Sequence, residues 1–101
     1  FQGCTSLTNI EIPKNVKEIG NGAFQGCKSL ANISIPNRTT RIGNYAFEDC
    51  LSFTNLIIPL NVNMIGDYAF WGCSSLLTIK ITKNLNSIGQ NAFPSNCKIT
   101  F

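Results

Sequence analysis

The chain has 101 residues and a net charge of +3, from eight Lys and Arg against five Asp and Glu. Those charges are scattered without a run, which excludes the clustered basic footprint of a nucleic-acid-binding face. The longest apolar runs, such as residues 55–60, fall far short of the ~20 residues that a membrane span requires, so no membrane insertion is expected.

Phe1, Phe24, Phe47, Phe70 and Phe93 recur every 23 residues, and Cys4, Cys27, Cys50 and Cys73 keep the same step. So do Ile10, Ile33, Leu56 and Ile79, then Ile12, Ile35, Ile58 and Ile81, and also Ile19, Ile42, Ile65 and Ile88. Gly20, Gly43, Gly66 and Gly89, and Ala23, Ala46, Ala69 and Ala92, stay in phase as well. The units are 1–23, 24–46, 47–69 and 70–92, with a partial unit 93–101. A fixed period of this length marks a solenoid, in which each turn touches only its neighbours and a continuous core needs about three or more turns. Residues 1–101 are therefore read as one solenoid segment, excised from a longer protein because the pattern is already under way at residue 1. End-to-end self-association through uncapped termini is expected.

Within the first turn, Phe1, Cys4 and Leu7 are spaced three apart, which suits a tight helical turn that delivers all three to the interior. Ile10 and Ile12 alternate around Glu11, the mark of a short strand. Pro13 ends that strand by removing a backbone donor, as Pro36 and Pro59 do later, with Thr82 the exception. Asn15, Asn61 and Asn84 suit the turn that follows, a column broken by Arg38. Val16 and Ile19 return inward, with Thr39 standing in for the valine in the second unit. Gly20 and its equivalents are expected to permit a bend, and Asn21, Asn44 and Asp67 to cap the helical turn that follows each of them. Interior columns thus begin at Phe1, Cys4, Leu7, Ile10, Ile12, Val16, Ile19 and Ala23. Strands of successive turns stack in parallel ~4.8 Å apart.

This unit, LxxIxIPxxVxxIGxxAFxxC, resembles the leucine-rich repeat of the BspA-like type, through Leu7, Ile10, Ile12, Pro13, Val16, Ile19, Gly20, Ala23, Phe24 and Cys27. Phe53 for leucine, Thr39, Thr82 and a shortened last unit depart from it. The resemblance implies a right-handed β-solenoid with short parallel strands on a concave face and irregular or short helical returns on the convex face. It also implies a binding protein at the cell surface or secreted, with a cytoplasmic scaffold for a protein partner as the alternative.

No histidine is present, so Ser/His/Asp and Cys/His arrangements are excluded within this segment. Glu11, Glu18, Glu48, Asp49 and Asp67 read as solvated surface charge. The glycines are isolated and periodic, so no phosphate cradle is formed. Cysteines in one column form a row whose first and last members lie ~14 Å apart at ~4.8 Å per step, too far to close on one ion with Zn–S bonds of ~2.3 Å. They read as a ladder of buried thiols, with Cys97 offset by one residue and the most exposed. No catalytic residue, cofactor or metal is expected.

Partner contacts, with a protein or glycan ligand, are expected on the strand face. Asn9, Asn32 and Asn55, followed by Thr78, form a polar strip able to exchange amide hydrogen bonds. Glu11, Ser34, Ile57 and Lys80 change character at every step, as partner choice on a rigid frame requires. Ile57, Leu60 and Leu77 are placed to form an exposed apolar patch. Trp71 follows core Phe70 and should face outward as an interface anchor, and Tyr45 and Tyr68 share another outward column. Sequons stand at Asn32-Ile33-Ser34 and Asn37-Arg38-Thr39.

Overall fold

The computed structural model describes residues 8–81, 85–95 and 97–100. Positions 1–7, 82–84, 96 and 101 lie outside the described residues, and with them the expectations for Phe1, Cys4, Leu7, Thr82 and Asn84, as do the side chains of Asn32 and Asn55. Two strands form per turn. The longer ones are β1 (Asn9–Glu11), β3 (Asn32–Ser34), β5 (Asn55–Ile57), β7 (Thr78–Lys80) and β9 (Lys98–Thr100). The shorter are β2 (Glu18–Ile19), β4 (Arg41–Ile42), β6 (Met64–Ile65) and β8 (Ser87–Ile88).

All pairing is parallel and follows the repeat: Ile10 lies against Ile33, Ile19 against Ile42, Ile42 against Ile65, and Leu56 against Ile79. At the last step Ile79 meets Ile99, three residues short of the period, because the final unit is shortened. The expected stack of like side chains is therefore present, and the chain is a parallel β-solenoid.

The returns are not helical. Among the described residues there is no helix, and the interior columns are delivered by linked turns in which Ala23 N–H donates to Gly20 O (3.2 Å), Cys27 N–H to Phe24 O (3.2 Å) and Leu30 N–H to Cys27 O (3.1 Å). The intervening donors point sideways instead: Gly22 N–H reaches Asn44 O (2.9 Å), Phe24 N–H reaches Ala46 O (2.8 Å) and Gly26 N–H reaches Glu48 O (2.8 Å). Left-handed backbone at Gly22 (φ 67°) and Gly26 (φ 75°) interrupts any helical run, and Tyr45 (60°) and Asp49 (61°) repeat the pattern one turn on. A helix would satisfy those amides within its own turn, whereas here they bond turn to turn.

A second ladder, of order β2-β4-β6-β8, runs unbroken through the returns. Sequence inspection missed it because a two-residue strand is too short to show alternation; the only trace is the exposed–buried pair repeated at Glu18-Ile19, Arg41-Ile42 and Met64-Ile65. By contrast the strand-face ladder is split into β1-β3 and β5-β7-β9. Asn9 registers with Asn32, whereas β3 and β5 are not hydrogen-bonded neighbours; the amide exchange expected along Asn9, Asn32 and Asn55 rests on side chains outside the described residues.

Two expectations for the return are also revised. Asn21 Oδ1 accepts the Asn44 N–H of the next turn, Asn44 Oδ1 accepts the Asp67 N–H, and Asp67 Oδ1 accepts the Gln90 N–H, each at 2.8 Å. These side chains cap the neighbouring turn rather than their own. That ladder also explains glycine at 43, 66 and 89: a Cβ on Gly43 would stand 2.5 Å from Asn21 Oδ1 and 2.7 Å from Asn21 N, so close approach demands glycine there, whereas at Gly20 a Cβ would meet nothing within 4 Å.

The core is a spine of stacked rings, Phe24 on Phe47 at 5.3 Å, Phe47 on Phe70 at 5.2 Å and Phe70 on Phe93 at 5.8 Å between centroids. Cys27, Cys50 and Cys73 are fully buried beside it as free thiols. Two of these S–H groups donate to a carbonyl one turn back, Cys50 Sγ to Phe24 O at 3.1 Å and Cys73 Sγ to Phe47 O at 3.0 Å. Cys97 is free and half-buried, the least enclosed of the described thiols, as expected from its offset.

Candidate binding face

β5 and β7 hold Leu56 and Ile79 in the core, β1 and β3 pack Ile10 and Ile33 half-buried against it, and β9 leaves Ile99 42% exposed, while Glu11, Ser34, Ile57, Thr78 and Lys80 face solvent. Alternation along an extended chain gives the two opposite directions. Glu11 and Ser34 sit across from one another on β1 and β3, and both are exposed. Ile57 sits across from Lys80, and Asn55 across from Thr78, on β5 and β7. Asn9, Thr78 and Lys80 are exposed, as the partner reading requires.

Large apolar side chains project here against the usual preference. Ile57 is 69% exposed, Leu60 62% and Leu77 58%. Water contact for aliphatic groups of this size costs roughly 25 cal/mol per Å² relative to burial. Ile57 also lines a cleft of about 480 Å³ that opens where β3 and β5 part, with Ala31, Ser34, Asn37, Phe53 and Thr54 around it. Two bonds bracket the opening: Ser52 Oγ donates to Lys28 O at 2.7 Å, and Asn61 Nδ2 to Asn37 O at 2.6 Å. The break falls at the one phenylalanine of the Leu30, Phe53, Leu76 column. Phe53 is buried and packs on Phe47 with centroids 5.7 Å apart and planes 60° apart. The cleft was not foreseen from the sequence, although this departure from leucine marked its place.

Trp71 lies in the return, 37% exposed, edge-on to Tyr68 with centroids 6.2 Å apart. It is not part of the strand face, and the structure groups it with Tyr68 and Tyr45 instead. At the second sequon, Asn37-Arg38-Thr39, the Thr39 hydroxyl is fully buried in the folded chain and donates to Val16 O at 2.9 Å.

Two carboxylates bond from turn to turn: Glu48 Oε1 accepts from Gln25 Nε2 at 2.7 Å, and Asp67 Oδ1 accepts from the Gln90 backbone N–H at 2.8 Å. Burial drives the Cys73 thiol up to about 12 and the Cys50 thiol higher still, with the adjacent thiols adding to the effect at Cys50, so both are neutral and unreactive at physiological pH.

A family model described as the BspA type leucine rich repeat region matches residues 1–101. Among solved structures, a leucine-rich repeat protein from Bacteroides ovatus ATCC 8483 is 28% identical with a TM-score of 0.66, covering 100% of this chain and 39% of that one. A leucine rich cell surface protein from Faecalibacterium prausnitzii A2-165 is 20% identical with a TM-score of 0.64, covering 100% of this chain and 43% of that one. The chain thus spans less than half the length of either structure. None of the curated proteins matches it.

Proposed function

Because the chain belongs to the BspA-type leucine-rich repeat family, we propose that it is a non-catalytic binding module of a cell-surface or secreted protein, and that it engages a protein or glycan ligand through its strand face. The observation that carries this reading is the exposed aliphatic group Ile57, Leu60 and Leu77 on and beside β5 and β7, next to the cleft between β3 and β5. Exposed apolar side chains gathered on a rigid frame are the usual mark of a contact surface. Their aliphatic character favours a protein ligand over a glycan, since sugar hydroxyls would find little to bond there. Surface location is supported by the likeness to the Faecalibacterium prausnitzii cell surface protein.

The test is to array the chain against extracellular-matrix and cell-surface proteins and glycans, then repeat with Ile57→Lys and Lys80→Glu together. Both positions are exposed, so the melting temperature stays within a few degrees. Affinity for a strand-face ligand falls at least about tenfold, equivalent to ~1.4 kcal/mol. Undiminished binding by the double variant contradicts the assignment of the face.

A further inference from the structure

The return side carries a feature that strand-face binding does not use. Tyr45 and Tyr68 occupy left-handed backbone, at φ 60° and 57°, in a column whose other members are Gly22 (67°) and Asn91 (53°). Glycine and asparagine are the ordinary occupants of that conformation, and a bulky side chain there is strained. The two rings nonetheless stack on each other in neighbouring turns, centroids 5.3 Å apart and planes within 5°. Tyr45 remains 40% exposed. Strain kept at exposed positions is a pointer to function.

What the stack leaves open is defined by Gly22. Gly22 N–H donates to Asn44 O just as Tyr45 N–H donates to Asp67 O, so the two residues are equivalent along the axis. Tyr68 covers one face of the Tyr45 ring, and the other face looks over the place where Gly22 carries no side chain. Beside that berth, three residues on from Gly22 and Tyr45, stand Gln25 and Glu48, joined by the 2.7 Å Nε2–Oε1 bond. A carboxylate has about four lone-pair sites, so this bond does not exhaust Glu48 as an acceptor.

We propose that the open face of Tyr45 above Gly22 is a carbohydrate site, which takes one pyranose ring of a β-linked gluco-configured oligosaccharide. In that configuration the hydroxyls are equatorial, so the pyranose ring lies flat on the aromatic ring and its axial C–H bonds, made positive by their oxygens, point at the negative aromatic face. Equatorial hydroxyls at the rim then donate to Glu48. Trp71 offers a second aromatic surface on the same ridge, edge-on to Tyr68 and over a hollow of about 240 Å³ shared with Ser74, Pro94 and Ser95. The polar company of Tyr45 distinguishes this site from the aliphatic strand face and sets it apart from the function proposed above.

Calorimetric titration of the chain with cellotetraose and chitotetraose tests the site, with tetramethylammonium chloride as the competing probe because an aromatic face beside a carboxylate could instead hold a cation. Saturable binding of at least one oligosaccharide is expected, weakened at least tenfold by Tyr45→Gly, which also relieves the left-handed strain, and by Gly22→Tyr, which fills the berth with a third ring. Tyr45→Gly should melt within a few degrees of the parent and Gly22→Tyr lower, because a tyrosine at φ 67° is strained, but both should show the cooperative melt of a folded chain, and Ile57→Lys should bind the sugar as the parent does. No saturable sugar binding overturns the proposal, as does sugar binding indifferent to both substitutions, or Tyr45-dependent binding of tetramethylammonium alone.

Discussion

Thr39 replaces the valine of its column, and the core accepts it because its hydroxyl donates to Val16 O at 2.9 Å. A buried hydroxyl without such a partner would cost ~1–3 kcal/mol. The cysteines follow the same logic. Their neutral form is the one that burial favours, so thiol titration opposes folding. Cys73 rises from 9.0 to about 12, which leaves stability unaffected below pH ~9, the unfolded-state value, and erodes it by up to ~1.4 kcal/mol per pH unit between ~9 and ~12 for this thiol alone. Thermal melts from pH 7 to 11 should show that decline, and Cys73→Ala should make it shallower without abolishing it, because the Cys50 thiol is raised as well. In the native protein at pH 8, a thiol reagent should modify Cys97 and spare Cys27, Cys50 and Cys73 until denaturant is added. Gly43→Ala is expected to lose about 2 kcal/mol in chemical denaturation, the scale of an overpacked site. Adding Asn21→Ala should not restore it, because the backbone of Asn21 and Gly20 is equally close, at 2.7 and 2.8 Å.

Element by element, legibility in the sequence tracked how many residues carried the signal. The longer strands were readable because Ile10 and Ile12 alternate around an exposed residue in every turn. The shorter strands of the second ladder were not, since two residues cannot display a period. Irregular and short helical returns were both compatible with the i, i+3 spacing of Phe24, Cys27 and Leu30, and the irregular form is the one present among the described residues; what separates them is the destination of the intervening amides, and spacing does not encode that. The Asn21, Asn44, Asp67 column was recognised as a set of caps, but the turn each one caps became visible only in three dimensions. Asn44→Ala should therefore cost about 1 kcal/mol, the ordinary loss of a cap, and the freed amide should be Asp67, whose hydrogen exchange should quicken in a two-dimensional NMR series. Phe53→Leu returns its column to the side chain of Leu30 and Leu76; it should let β3 and β5 pair, slowing exchange of the amides of residues 55–57 and narrowing the cleft.

At the scale of the whole molecule, two faces of one solenoid carry different chemistry. Exposed aliphatic side chains at Ile57, Leu60 and Leu77 and a cleft lie on and beside β5 and β7, and a strained aromatic ridge runs along the returns. The sequence pointed to Ile57, Leu60, Leu77 and Trp71 as exposed, with Trp71 as an outward anchor separate from the strand columns, but a column gives the outward direction without the neighbour, and the edge-on contact with Tyr68 became visible only in three dimensions. Both faces depend on turns held in step by the 23-residue repeat. Inter-strand nuclear Overhauser contacts on the labelled chain measure that step most directly. Contacts linking the backbones of Ile19 to Ile42, Ile42 to Ile65 and Ile65 to Ile88, all in parallel sense, are the expected result, and contacts at another spacing, or in antiparallel sense, would contradict the solenoid and both surfaces built on it.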